Sequence, residues 1–240
     1  MVALFFNGKP FCGGTLIAPN VVLTATHCFY NNGSSLRFSS VSLVVGAYDL
    51  SELGPDSPNT FSSDLKKIEH PDYGAGGVLF DNDLALIVLN DSVDDIEPIS
   101  LHVGPPVSLQ IGGALSILGW GRTSTKPDSN EKSDILLRAE LSYISNIECT
   151  ERFLNSVAIT ANMMCAISED ENKQICLGDS GGPLIMKGDS DSKDIQVGVS
   201  SFTARRAGLK ECLPNFPSVY ARASANVAWL CSELGKYTDV

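Results

Sequence analysis

Cys176-Leu177-Gly178-Asp179-Ser180-Gly181-Gly182-Pro183 sets one serine between an acid and two glycines, four residues after a cysteine. A serine hydroxyl is a weak nucleophile unless a base takes its proton and donors receive the oxyanion. Glycines around it let the chain turn tightly and aim backbone N–H groups inward. Gly178 and Ser180 are the natural donors. The same string also describes an exposed loop. The reading therefore turns on a base and an orienting acid elsewhere.

The chain has three histidines. His70 precedes Pro71 in a turn-like stretch and His102 lies among Pro and Gly residues, so both read as structural or solvated. His27 instead follows the strand-like Val21-Val22-Leu23-Thr24 directly, and Cys28 beside it could anchor its loop. Asp83 precedes the apolar run Leu84 to Leu89, which is typical of a strand buried on both faces. A carboxylate there is costly unless hydrogen-bonded, and an imidazole N–H is a suitable donor. The turn-prone triplet Asp81-Asn82-Asp83 leaves a plain turn as the alternative.

Thr24-Ala25-Thr26-His27-Cys28, Asn82-Asp83-Leu84-Ala85-Leu86 and Gly178 to Pro183 together resemble the three catalytic blocks of chymotrypsin-like serine proteases, in that family's order. The resemblance covers nearly the whole chain. It implies an all-β fold of two six-stranded antiparallel β-barrels with a C-terminal α-helix. It also implies a Ser180 nucleophile, a His27 general base, an orienting Asp83, and an oxyanion hole of Gly178 and Ser180. Ser201 matches the serine that supports the aspartate, and Phe202 stands where most relatives have tryptophan. The floor of the substrate pocket falls on Gln174 and its walls on Thr203 and Ser218, which implies an uncharged, narrowed pocket. Arg205 and Arg206 follow the wall; they either attract acidic substrate residues or form a solvated loop.

The family pattern implies disulfides Cys12–Cys28, Cys149–Cys165 and Cys176–Cys212, with Cys231 left as a thiol. The first closes a short loop worth roughly 3 kcal/mol. Leu115 and Met186 stand at the two positions of a further bridge, so that bridge is expected to be absent. Relatives begin with a freed apolar-glycine segment whose amine is buried against the aspartate before the serine, here Asp179. This chain starts about a dozen residues too late for that by family alignment. It is therefore expected to resemble a zymogen, with its serine loop rearranged and the Met1 amine directed away from that loop.

Length and composition bound the alternatives. At 240 residues the chain suits one large domain or two small ones sharing a cleft. The connector Glu97 to Pro106 suggests units 1–104, with His27 and Asp83, and 105–240, with Ser180. A net charge of −11 argues against a nucleic-acid partner, and no apolar run reaches the ~20 residues that span a bilayer. Seven cysteines without a Cys-x-x-Cys pair favour an oxidising compartment over a zinc site. Asp189 to Asp194 lacks the glycine and glutamate of a calcium helix-loop-helix and reads as a solvated hairpin tip. Ala47 stands where calcium-binding relatives carry an acid, so no metal is carried over. The resemblance implies no organic cofactor, a protein or peptide substrate, protein inhibitors as further partners, a monomer, and secretion. Asn32 and Asn90 begin glycosylation triplets. A non-catalytic relative that binds another protein, or an esterase, are the competing readings.

Local signals complete the expectation. Met1 to Phe6 and Gly14 to Ala25 read as a hairpin around Asn7-Gly8-Lys9-Pro10. Leu43 to Gly46, Leu65 to Glu69, Ala114 to Gly121 and Leu136 to Tyr143 read as strands. Ser145 to Phe153 is a short helix capped by Ser145 and Glu148. Ala223 to Leu234 is a helix whose buried face takes Val227, Leu230, Cys231 and Leu234.

Overall fold

Asn7 and Gly8 take φ of +50° and +73°, the left-handed pair that a two-residue hairpin turn requires. They join strands β1 (Val2–Phe6) and β2 (Lys9–Ala18). The computed structural model describes residues 1–31, 33–54, 57–104, 109–123, 131–169, 173–205 and 212–238. Asn32, Arg206 and most of the segment after Thr123 lie outside the described residues.

The stretch expected as one strand from Gly14 to Ala25 is two, β2 and β3 (Val21–Thr24). Pro19 has no N–H to give a ladder, so the chain turns at Pro19-Asn20. A small ribbon of β4 (Tyr30–Asn31) and β5 (Ser34–Ser35) follows. Next come β6 (Val41–Val45), β7 (Thr60–Phe61), β8 (Lys66–Glu69) and β9 (Ala85–Val88). The first sheet runs β7-β6-β1-β2-β3-β9-β8 and remains an open half-barrel.

The second sheet is built from β10 (Ser100–Leu101), β11 (Ala114–Gly119), β12 (Leu137–Ile144), β13 (Met163–Ile167), β14 (Pro183–Met186), β15 (Ile195–Thr203) and β16 (Ser218–Arg222). Its order is β10-β15-β14-β11-β12-β13-β16, and β15 also pairs β16. Six strands thus close into a barrel, with β10 attached outside. Both β units are antiparallel apart from the β10–β15 pair, and helices are few among the described residues.

Each sheet wraps an apolar interior, and the first interior also takes Val199 and Ala221 from the second sheet. Val21, Val22, Leu23 and Leu84 to Ile87 are fully buried in the first, as the continuous apolar run predicts. Leu115, Met164, Leu184 and Tyr220 centre the second, and Met186 packs against it beside Leu115. An apolar pair thus fills the place of a bridge.

Helix α1 (Asn146–Arg152) is capped by Ser145, whose Oγ accepts the Glu148 N–H at 3.1 Å. Helix α2 (Val227–Leu234) buries Leu230 and half-buries Trp229 and Leu234 against the first core. Cys231 is exposed, which corrects its expected place on the buried face. The stripe centres on Leu230, and one residue of helical advance, about 100°, carries Cys231 out of it.

Candidate active site

The register of β3 on β9 places the first two site residues. Thr24 pairs with Ala85, so the end of β3 meets the start of β9. The chain continues past that shared edge into a short 3-10 turn, Thr26–Phe29, which carries His27. Asp83 approaches the same edge from the other strand. Thr26 Oγ1 donates to Leu84 O at 2.6 Å and the His27 N–H donates to Asp83 Oδ1 at 2.9 Å, which sews the two segments together. Cys12–Cys28 ties the same turn to β2.

The second sheet delivers the serine. Pro183 pairs with Val199, so the loop before β14 runs beside the end of β15. Gly181 N–H donates to Ser200 O, and Ser200 N–H donates to Gly182 O, both at 2.8 Å. Gly13 N–H donates to Ser180 O at 2.7 Å, linking this loop to the first sheet. Gly181, at φ +79°, has no room for a side chain: a Cβ there would lie 2.2 Å from Thr24 Oγ1. The close approach of the two sheets at Ser180 depends on that bare backbone.

His27, Asp83 and Ser180 form one hydrogen-bonded chain. His27 Nδ1 stands 2.6 Å from Asp83 Oδ2, and His27 Nε2 stands 2.8 Å from Ser180 Oγ. Asp83 is wholly buried and accepts from the His27 backbone, the imidazole and Ser201 Oγ, the last at 2.5 Å. With Asp83 accepting, Nδ1 holds the proton and Nε2 is left to accept from the serine hydroxyl. Among the described residues, the N–H groups of Gly178 and Ser180 donate to no protein acceptor. They remain available to a developing oxyanion.

Asp179 turns its carboxylate inward. Oδ1 accepts the Gly121 N–H at 2.8 Å and Oδ2 accepts the Cys176 N–H at 2.9 Å. Gly119 and Gly121 make the room, since a Cβ on either would fall about 2 Å from a carboxylate oxygen. Burial pushes the Asp179 carboxyl up to about 6, against the two backbone hydrogen bonds and the nearby Lys132 ammonium, which lower it. A cavity of about 270 Å³, lined by Gly119, Gly121, Arg122, Gln174 and Asp179, opens beside it. The Met1 side chain reaches toward this loop, its Cε 3.8 Å from where a Cβ on Gly182 would stand.

The cleft that contains Ser180 has a volume of about 370 Å³. Ser201, Phe202 and Thr203 line it, together with Phe6, Phe80 and Arg205. Gln174 and Ser218 do not. Gln174 faces the neighbouring cavity and its Oε1 accepts from Thr203 Oγ1 at 3.4 Å, while Ser218 is fully buried and accepts the Ile175 N–H at 3.0 Å. Thr203 Oγ1 also lies 3.0 Å from Pro217 O, so this threonine spans the space between the pocket segments.

His70 and His102 are both buried away from this chain of contacts, and His70 packs on Trp229 with centroids 4.7 Å apart. The cysteines pair as Cys12–Cys28, Cys149–Cys165 and Cys176–Cys212. The metal-ligand grouping of Cys12, His27 and Cys28 is already committed, its sulfurs to a disulfide and its imidazole to Asp83 and Ser180. Phe80 joins the site without a sequence signal. Its ring lies edge-on to His27 at 5.5 Å and stacks on Phe202 at 5.3 Å. Nothing in a lone phenylalanine before Asp81-Asn82 signals that position.

The sequence model of the trypsin family matches residues 1–230. Kallikrein 1-related peptidase b24 of Mus musculus is 32% identical over 98% of this chain and 84% of its own length. The clotting factor G beta subunit of Tachypleus tridentatus is 33% identical over 96% of this chain and 74% of its own. Among solved structures, neuropsin, a serine protease of mouse brain, superposes with a TM-score of 0.76 at 26% identity, covering 97% of this chain and 93% of that one. Fold, cysteine pairing and sequence agree: the chain belongs to the trypsin family of serine proteases.

Proposed function

We propose that this chain hydrolyses peptide bonds with Ser180 as nucleophile, His27 as general base and then acid, and Asp83 as the group that orients the imidazole. Ser180 Oγ attacks the carbonyl carbon while Nε2 takes its proton; the same proton then passes to the leaving amine. Water repeats the cycle on the acyl-enzyme. The N–H groups of Gly178 and Ser180 receive the oxyanion, each worth about 3 kcal/mol in comparable sites. The observation that carries this reading is the continuous contact from Asp83 through His27 to Ser180, at 2.6 and 2.8 Å.

Substrate side chains enter beside Ser201, Phe202 and Thr203, with Gln174 and Ser218 acting behind Thr203 by shaping the pocket. The division into 1–104 and 105–240 puts the base and acid in one unit and the nucleophile in the other. The two sheets draw on residues 2–88 and 100–222, which supports a boundary in this region, although β10 pairs with the second sheet. Three disulfides support a secreted protein. A monomer that also meets protein inhibitors completes the reading.

The cavity at Asp179 takes the freed amine of an apolar-glycine segment, whose charge would compensate the buried carboxylate. The test compares the chain beginning at Met1 with one bearing a freed Ile-Val-Gly-Gly terminus. Peptide turnover and labelling by an active-site-directed phosphonate are measured for both, with Ser180→Ala as control. The freed form should turn over faster, and Ser180→Ala should lose labelling and at least about a thousandfold in turnover. Equal turnover by the two forms sinks the activation step. Undiminished turnover by Ser180→Ala sinks the protease mechanism.

A further inference from the structure

The loop that presents Asp83 is tied to the opposite sheet two residues earlier. Asp81 belongs to the first unit, yet its Oδ1 accepts from Thr160 Oγ1 at 2.5 Å, and Asn162 Nδ2 lies 3.2 Å from Oδ2. Thr160 and Asn162 lead into β13 of the second sheet, and they are themselves fixed. Asn146 Nδ2 donates to Thr160 O at 2.7 Å, and Arg222 N–H donates to Asn162 O at 2.8 Å. Within its own loop, Asp81 O accepts the Gly74 N–H at 2.9 Å, and Asn82 Nδ2 donates to Asp72 O at 3.1 Å.

The residues on both sides of Asp81 take backbone angles that side chains resist. Phe80 has φ +64° and Asn82 has φ +52°. Asparagine visits this region readily, but a phenylalanine stays there only when its surroundings hold it. The same strained turn aims the Phe80 ring at His27 and Phe202, and it sets the angle at which Asp83 leaves for His27. Asp81 is buried, and its donors are a hydroxyl and two amides, none of them charged.

We propose that Asp81 is a positioning residue: its clamp to Thr160 and Asn162 holds the strained turn that places Phe80 and Asp83 against His27. The proposal rests on reading His27, Asp83 and Ser180 as the reacting set. It makes the seating of Asp83, a first-sheet residue, depend on side chains of the second sheet that touch neither substrate nor any of those three groups. It also distinguishes a hydrogen-bonding role from a charge role, because Asn in place of Asp keeps an acceptor oxygen for Thr160 and Asn162.

The test uses the full chain in its active form, with Asp81→Ala, Asp81→Asn, Thr160→Val and Asn162→Ala. Three quantities are read: kcat and KM separately on a peptide amide, the downfield NMR resonance of the His27 Nδ1 proton, and thermal unfolding. Asp81→Ala should lower kcat on the order of tenfold or more and displace or broaden that resonance. Asp81→Asn should stay within about threefold of the parent. Thr160→Val and Asn162→Ala should fall between, and neither should add its full effect to Asp81→Ala, since the groups act together. Parental kcat and resonance in Asp81→Ala, with only a lower Tm, overturn the proposal. So does an Asp81→Asn variant as impaired as Asp81→Ala. If Asp81→Ala fails to fold, Thr160→Val and Asn162→Ala decide the matter from the other side of the contact. Absence of peptide turnover in the parent counts against the protease reading instead, and the resonance still tests the clamp.

Discussion

Ser201 Oγ donates to Asp83 Oδ2 at 2.5 Å, from the second sheet to an acid carried by the first. The oxygen it reaches is the one that also faces His27 Nδ1. Ser201→Ala would leave a wholly buried carboxylate with one donor fewer. Stability should fall by about 2 kcal/mol and kcat by on the order of tenfold, with KM little changed. Denaturant unfolding and steady-state kinetics check both, and a change confined to KM would refute the assignment.

Asp179 makes stability depend on pH. Its native value of about 6 lies above its ordinary 3.8, so between them the native state binds more protons than the unfolded chain. Its contribution is most favourable below about pH 4 and is lost as pH rises through 6. A shift of that size is worth about 3 kcal/mol at most. Asp179→Asn should therefore gain stability relative to the parent between pH 4 and pH 7. Parallel pH profiles for the two would exclude a raised Asp179.

Cleavage should favour small or medium uncharged side chains at the scissile bond. Among the described residues no carboxylate lines the Ser180 cleft to meet a buried Lys or Arg, and Thr203, held to Pro217 O, narrows it. Arg205 lines the cleft and makes no ion pair among the described residues, so acidic residues nearby in the substrate should be accepted. A peptide-library profile measures both. A profile dominated by Arg, Lys or Trp at the cleaved position would contradict the first expectation, and Arg205→Glu with an unchanged profile the second.

Cys231 should react with a maleimide in the native state, because it is both unbridged and exposed. Cys231→Ser should change stability by less than about 0.5 kcal/mol. Protection from the reagent without denaturant would return the thiol to the buried face of α2.

The parts legible in the sequence are those set by local chemistry. Asn7-Gly8 announces its turn, Leu84 to Leu89 announces a buried strand, and Ser145 caps a helix. Three motif blocks name His27, Asp83 and Ser180 because each has a recognisable neighbourhood. The break at Pro19-Asn20 is masked by the apolar residues on either side, which together read as one strand although proline carries the contrary signal. The contact of Asp81 with Thr160 spans 79 residues of chain, and no local pattern encodes such a pairing. The same holds for Phe80 against His27. The exposure of Cys231 is not legible either, because an eight-residue helix has a narrow buried stripe and residues at its margin fall on either side.

The split of the site between two sheets also governs what a damaged molecule can do. Gly13 N–H to Ser180 O and Ser201 Oγ to Asp83 Oδ2 both cross from one sheet to the other. A partial opening that parts the sheets would separate nucleophile from base and pull Val199 and Ala221 out of the first apolar interior. On the proposed mechanism such a molecule is harmless to its neighbours but open to their attack. In a concentrated population, loosened copies would be consumed by intact ones, so the fold's own seam would act as quality control.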